Sequence, residues 1–349
     1  MNIAVLSTKF VEGSEVEEDL TKMGSSVVKA LEKFGYTAKF FDVNEKTFEM
    51  LRNSDFNLAF NVCERFNGNS YMEPHVAAML ELLGIPYTGS GPLALSLCMN
   101  KPRVKDILLQ NSIPTPKFQI FYSKNKKLNP DLKFPLIVKP VAMDNSIGIT
   151  EESIVYDERV LAKKVASINR VYNQPAMVEE FICGREFAVA VLGNNGNAKA
   201  LPISEFIFPD DKSILSYNAK WDFKSDEYIY TPEICPAQIP KYLEQRMKKI
   251  ALDVHRILEV RDYSRIDLRL GEDGTPYVLE MNPNPGISAD NTIPKAAKSL
   301  GITYDEMINE ILCRGLERHR LEPLVPSKIS SMKTIIPQRI VCDLDEPPV

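Results

Sequence analysis

The chain has 349 residues, 44% of them apolar and 26% charged, with a formal net charge of −5. That is the make-up of a soluble globular protein with room for two or three domains. The acidic balance gives no basic surplus for nucleic acid or anionic lipid, and no apolar run is long enough to span a bilayer. Six scattered cysteines without a C-x-x-C pair argue against a zinc site or a disulfide framework and for reduced thiols in the cytoplasm. His75, His255 and His319 stand outside any H-E-x-x-H or G-x-S-x-G context, so zinc hydrolysis and Ser/His chemistry have no support.

The opening Met1-Asn-Ile-Ala-Val-Leu6 lacks a basic n-region and a cleavage site, so it reads as a buried first strand over 2–7. Apolar residues at Val16, Leu20, Met23, Val27, Leu31 and Phe34 predict a helix over 15–34, stopped by Gly35. Strands over 37–43 and 56–62 and helices over 45–52 and 73–83 follow. This βαβ alternation implies an α/β unit with a parallel sheet and ligand loops at the strands' C-terminal ends. No G-x-G-x-x-G follows the first strand, which removes the support for a nicotinamide-dependent oxidoreductase. A helix over 102–110 precedes Ile113-Pro-Thr-Pro116, which breaks the pattern near a domain boundary. Strands over 117–122, 136–139, 176–180 and 187–192 predict a second, α+β module. A third runs from about 198 through a long helix over 240–258 to about 320. The expected units are 1–98, 99–192 and 193–320, with 321–349 a proline-punctuated tail packed along the surface.

The most informative stretch is Tyr263-Ser-Arg-Ile-Asp-Leu-Arg-Leu270, a turn at Asp273-Gly274, and Tyr277-Val-Leu-Glu-Met-Asn282. Both flanks alternate, and Asp-Gly between alternating runs is a strong hairpin signal. Centring the hairpin on that dipeptide sets Asp267 opposite Glu280 and Arg265 opposite Asn282. It also sets Ile266, Leu268 and Leu270 opposite Met281, Leu279 and Tyr277 as an apolar underside. Opposed carboxylates on a sheet cost up to about 1 kcal/mol, so something must compensate. A hard dication held by Asp267, Glu280 and Asn282 would do so, with phosphates and water completing its shell. Neutralisation by Arg265 and Arg269 on a solvated face is the alternative.

These residues carry a resemblance. R-I-D, then L-E-M-N, then N-P-G-I-S, closely resembles the metal-binding end of D-alanine–D-alanine ligases of the ATP-grasp superfamily. Leu83-Gly-Ile-Pro-Tyr-Thr-Gly-Ser-Gly91, Met99-Asn-Lys-Pro-Arg-Val-Lys105, Ile137-Val-Lys-Pro140 with Ser146-Ile-Gly148, Val178-Glu-Glu-Phe-Ile-Cys-Gly-Arg-Glu-Phe187 and Ala219-Lys-Trp221 follow in the family's order. The resemblance implies an ATP-grasp fold behind a Rossmann-like pre-ATP-grasp domain. It implies an ATP-dependent carboxylate–amine ligase working through an acyl phosphate, with two Mg²⁺ ions (or Mn²⁺) on Asp267, Glu280 and Asn282. Lys101, Lys139 and Lys220 would hold phosphates, helped by Ser146 in a closing loop over 142–148. Glu179, Glu180 and the backbone at Ile182 would read adenine, and Glu186 the ribose. Arg265 would donate to the developing oxyanion. Glu18 would hold the first substrate's ammonium beside Asn145 and Trp221, while Gly286, Asn291 and Thr292 would receive the second substrate. A homodimer is the family's default assembly.

The departures from the family cluster around the amino-acid pockets. Asn145 and Trp221 replace a serine and a tyrosine, residues 61–68 (N-V-C-E-R-F-N-G) replace H-G-x-x-G-E-D-G, and Asn291 replaces a serine. The reaction class is therefore expected to hold while the substrates can differ: another amino acid, or a small natural-product carboxylate. A catalytically silent nucleotide-binding protein is the alternative from another class.

Overall fold

The computed structural model describes residues 1–8, 15–141, 149–209, 214 and 231–328, with residues 15–21 described by backbone alone. Strand β1 (Asn2–Ser7) is apolar and buried, and it pairs in parallel with β2 (Thr37–Asp42) on one side and β3 (Leu58–Val62) on the other. Helix α1 (Glu15–Lys33) makes the first crossover, and Gly35 at φ +82° ends it in the left-handed conformation that favours glycine. Helix α2 (Glu45–Arg52) opens on a reciprocal cap, with the Asn44 side chain accepting from the first turn and Thr47 Oγ1 accepting from Asn44 N at 3.0 Å. The parallel sheet is thus as the βαβ alternation predicts.

Helices α3 (Glu73–Leu82), α4 (Pro92–Cys98) and α5 (Lys101–Gln110) lead out of this unit. The periodicity reading does not contain α4, a seven-residue helix that opens on Gly91-Pro92. Strands β4 (Phe118–Phe121), β5 (Leu136–Pro140), β6 (Ile154–Val155) and β7 (Ala176–Glu180) form an antiparallel sheet in the order β4-β7-β5-β6, against which α6 (Glu158–Tyr172) packs.

The larger sheet contains β8 (Glu186–Leu192), β9 (Lys199–Ala200), β10 (Ser204–Phe206), β11 (Glu233–Ile234), β12 (Tyr263–Leu270) and β13 (Pro276–Asn282). Its order is β11-β10-β8-β12-β13, with β9 pairing β8. Here the sequence expectation is corrected. Residues 187–192, expected beside the strands of the second module, lie at the centre of this sheet, bonded to β12 and β10. A run buried on both faces carries no mark of which sheet it joins. The chain switches sheets between Glu180 and Glu186, and the cleft forms at that switch.

Helix α7 (Lys241–Ile257) covers one face of the larger sheet together with α4 and α5, over Phe187, Val189, Val191, Ile266, Leu268, Val278 and Met281. Ala190, Leu192 and Tyr263 look the other way, into a core shared with β1, α1, α8 (Thr292–Ser299) and α9 (Tyr304–Arg318). Residues 321–328 run along α9, with Val325 O accepting from Asn309 Nδ2 at 3.2 Å and Leu324 N donating to Tyr36 Oη at 3.0 Å. Residues 329–349 lie outside the described ones.

His255 of α7 is buried, with Nε2 3.1 Å from Gly193 O and Nδ1 2.8 Å from Ser264 Oγ. A carbonyl can only accept, so Nε2 carries the proton and Nδ1 accepts from the serine. Burial pushes this imidazole down to about 4 from an ordinary value near 6.5. A depressed folded-state pKa gives stability that is present above pH 6.5 and lost as pH falls through 4. Between pH 7 and 4.5 the His255 contribution amounts to a loss of about 2 kcal/mol. A His255→Gln variant, lower in stability at neutral pH, is expected to show a shallower decline of melting temperature over that range.

Candidate active site

The cleft lies between the two antiparallel sheets. Ile137 and Lys139 of β5 and Glu179 and Glu180 of β7 form one wall, Asp267, Arg269, Leu279 and Glu280 the other, and Phe181 and Ile182 the hinge between them. Lys101, Glu186, Ile149 and Ile214 complete the lining. Eight residues expected at the nucleotide and metal site thus meet in one place: Lys101, Lys139, Glu179, Glu180, Ile182, Glu186, Asp267 and Glu280.

The hairpin supplies the acids. Arg265 pairs with Asn282, Ile266 with Met281 and Asp267 with Glu280, as the turn at Asp273-Gly274 predicts. Beyond Asp267 the register shifts by one, so Leu268 faces Val278, Arg269 faces Tyr277 and Leu270 faces Pro276. The expected pairs of Leu268 with Leu279 and Leu270 with Tyr277 are therefore corrected. A β-bulge absorbs Leu279 and turns it and Glu280 together into the cleft, which strict alternation forbids. On the other side, Asp267 and Arg265 neighbour Ala188 and Ala190 of β8, whose small side chains leave space above the sheet.

Each acid has a cation beside it. Arg265 donates to Asp267 through Nε (2.7 Å) and Nη2 (2.9 Å), and Lys101 Nζ lies 2.8 Å from Glu280 Oε1. Burial disfavours the Arg265 cation, but Asp267 outweighs it and lifts the guanidinium above the ordinary arginine value. Arg269 faces Glu186 at 3.6 Å and sits 4.7 Å over the Phe181 ring. Asn282 Nδ2 donates to Asp267 Oδ2 at 3.1 Å. Two carboxylates and an amide on neighbouring cross-strand positions are hard oxygen donors of the kind magnesium takes, and their residual charge suits a dication that arrives with phosphate. Among the described residues no group of three or more His, Cys, Asp or Glu is placed to hold a metal ion by itself, so this mixed set with its amide is the site to test for metal.

Glu179 is fully buried and held by two ammonium groups: Lys139 on Oε1, and Lys105 on Oε2 at 2.9 Å. Burial pushes its pKa up, but the two lysines outweigh that and hold the carboxyl below its ordinary value. Burial depresses the Lys105 ammonium, against the pull of Glu179. Lys105 is a polar residue that the sequence reading of the site gives no role, and Arg269, read there as a neutraliser of the opposed acids, lines the cleft beside Glu186. Arg269 continues the same strand face as Arg265 and Asp267, and that alternation was its signal.

At the other end, Gly286 and Asn291 come together, since a Cβ on Gly286 would lie 2.9 Å from Asn291 Nδ2. Glu64 joins them, its Oε1 3.8 Å from the same point. Asn291 caps α8, and Thr292 is that helix's first residue. Asn284 bonds Tyr263 Oη and donates to Glu73 at 2.8 Å, which fixes this loop to residues 61–73. Asn145, Ser146, Lys220 and Trp221 lie outside the described residues, and Glu18 sits on α1 with only its backbone described. Burial pushes the Cys63 and Cys313 thiols up to about 12, which removes them as nucleophiles.

Gly184 closes the hinge at φ +145°, and a Cβ there would lie 2.0 Å from Leu270 O. Gly184→Ala must push the hinge off the hairpin, a strain on the order of 1–3 kcal/mol. A drop in melting temperature and a nucleotide dissociation constant raised by about tenfold or more are expected, read by thermal melt and titration.

The family model described as D-ala D-ala ligase C-terminus matches residues 107–313. The chain is 36% identical over 299 residues to an uncharacterized protein, y4sG, of Sinorhizobium fredii, covering 83% of this chain and 86% of that one. It is 33% identical over 309 residues to the D-alanine–D-alanine ligase of Bordetella petrii, covering 86% and 90%. The crystal structure of D-alanine–D-alanine ligase from Bacillus anthracis complexed with ATP superposes with a TM-score of 0.73 at 27% identity, over 92% of this chain and 99% of that one. With this fold and this cleft, the chain belongs to the D-alanine–D-alanine ligase family of the ATP-grasp superfamily, ATP-dependent enzymes that form a carbon–nitrogen bond.

Proposed function

We propose that this protein joins the carboxylate of one small substrate to the amine of an amino acid, using ATP and Mg²⁺ and passing through an acyl phosphate. The observation that carries the reading is the convergence of Lys101, Lys139, Glu179, Asp267 and Glu280 on one cleft. Lys101 and Lys139 bind the triphosphate as point charges, with Lys220 and the loop over 142–148 completing the cage. Glu179, Glu180 and Ile182 read the adenine and Glu186 the ribose. Asp267, Glu280 and Asn282 would hold two Mg²⁺ ions, which when bound would neutralise charge on the transferring phosphoryl group.

The first substrate, its ammonium on Glu18 beside Asn145 and Trp221, attacks the γ-phosphate through its carboxylate. The second substrate lies against Gly286, Asn291 and Thr292, and its deprotonated amine attacks the acyl carbon. Arg265 donates to the oxygen that becomes negative, and phosphate leaves. Its guanidinium stays protonated throughout, and Asp267 holds it in place. No protein nucleophile takes part. The substrate pair need not be two D-alanines: Glu64 and Asn291 at Gly286 favour a second substrate with polar character beyond that of alanine. We infer a homodimer acting in the cytoplasm, and no helix among the described residues is long and apolar enough to cross a membrane.

The test is a screen of amino-acid pairs for Mg²⁺- and ATP-dependent phosphate release, with mass spectrometry of the products. An amide product with stoichiometric phosphate is expected for at least one pair. Nucleotide binding without phosphate release for any pair would make the protein a silent nucleotide binder.

A further inference from the structure

Lys105 has no place in the mechanism above, yet it is among the most buried charges in the protein, 1% exposed. It does not line the cleft. Three oxygens surround its ammonium: Glu179 Oε2 at 2.9 Å, Thr115 Oγ1 at 2.7 Å and Pro116 O at 3.4 Å. Thr115 and Pro116 take hydrogen bonds, whereas Glu179 Oε2 meets the ammonium as an ion pair without an aligned hydrogen bond, so Lys105 acts on that carboxylate as a buried charge. Thr115 in turn donates to Val278 O at 2.8 Å, on the strand that carries Glu280. Lys139 is different: it holds the other oxygen of Glu179 and also faces the cleft.

We propose that Lys105 is a positioning residue, the standing counter-ion of Glu179 that lets Lys139 leave this carboxylate for a nucleotide phosphate. The inference rests on the ATP reading of the cleft. In the free protein Lys139 and Lys105 share Glu179, one on each oxygen. When phosphate enters, Lys139 exchanges one anion for another, and Glu179 Oε1 becomes available to the adenine amine. Glu179 cannot follow Lys139 and cannot stay buried alone, because an unpaired buried carboxylate is strongly destabilising. Lys105, already desolvated and paired with Glu179, removes that cost from nucleotide binding. Without it Lys139 is Glu179's remaining cation among the groups described here and is drawn back from the phosphate.

The experiment is Mg·ATP titration, by calorimetry, of the wild type, Lys105→Met, Glu179→Gln and the double variant. Lys105→Met is expected to raise the dissociation constant about 100-fold, while the KM of the amino-acid substrates stays within about twofold. Glu179→Gln needs no counter-ion, so adding Lys105→Met to it is expected to change affinity less than about threefold. Equal losses in the two backgrounds, or unchanged affinity in Lys105→Met, would overturn the proposal. If Lys105→Met does not fold, Thr115→Val, alone and with Glu179→Gln, reads the same coupling while keeping the charge. A several-fold loss confined to the Glu179 background supports the proposal, and equal losses sink it. Failure of the wild type to bind Mg·ATP would instead overturn the ATP reading itself.

Discussion

Glu280→Gln is expected to cut ATP-dependent amide formation by about 100-fold or more at limiting Mg²⁺, with the protein still folded. The substitution keeps shape and removes one charge, and that charge has two claims on it. In the structure Glu280 sits opposite Asp267 and holds Lys101 at 2.8 Å. In the proposed complex it would help hold the metal ions, and Lys101 would turn to phosphate. A glutamine oxygen is a weaker magnesium donor than a carboxylate, so half-saturation by Mg²⁺ is expected to move upward and activity to recover in part at high Mg²⁺. Asp267→Asn is expected to be at least as severe, because it also releases the bidentate bond that fixes Arg265. The measurement is product formation against Mg²⁺ concentration at saturating ATP. Full activity of Glu280→Gln at limiting Mg²⁺ would end the two-metal assignment.

The hairpin that carries these acids was legible because local chemistry dictates it. Asp273-Gly274 can only turn, with Gly274 at φ +72°, and the period of two does the rest for the pairs farthest from the turn. The reading fails between Asp267 and the turn, where alternation conceals an extra residue and only neighbouring strands reveal it. Lys105 shows a deeper limit. On a helix of mixed polarity a lysine reads as solvated, and nothing local says that α5 packs against the larger sheet. Its partner Glu179 comes from a distant strand, so the pair exists only after both sheets have formed. The membership of β8 was hidden for the same reason. A run buried on both faces tells its burial but not its neighbours, and the switch at Gly184 decides them.

Asp262→Ala is expected to be the most destabilising single change outside the cleft, at about 3–5 kcal/mol. Asp262 is fully buried at φ +65°, one residue before β12. Its carboxylate accepts from Gly89 N (2.7 Å), Asn194 Nδ2 (2.7 Å) and Arg318 Nη2 (3.0 Å). These donors come from the 87–89 loop that pairs with β3, from the turn after β8 and from the end of α9, so one side chain ties the first unit to the larger sheet. Alanine leaves the half-buried Arg318 guanidinium without its acid and keeps the left-handed backbone strain with no side chain to offset it. Asp262→Asn separates the two effects. Asparagine tolerates the positive φ and keeps one acceptor, but removes the charge that faces Arg318. It is expected to lose roughly half as much, read as the shift in thermal and urea midpoints. Because the network anchors the start of β12, both variants are also expected to loosen Arg265 and Asp267, with a lower kcat even where the protein is fully folded. Wild-type midpoints in Asp262→Asn would show that the hydrogen bonds, not the ion pair, hold the units together.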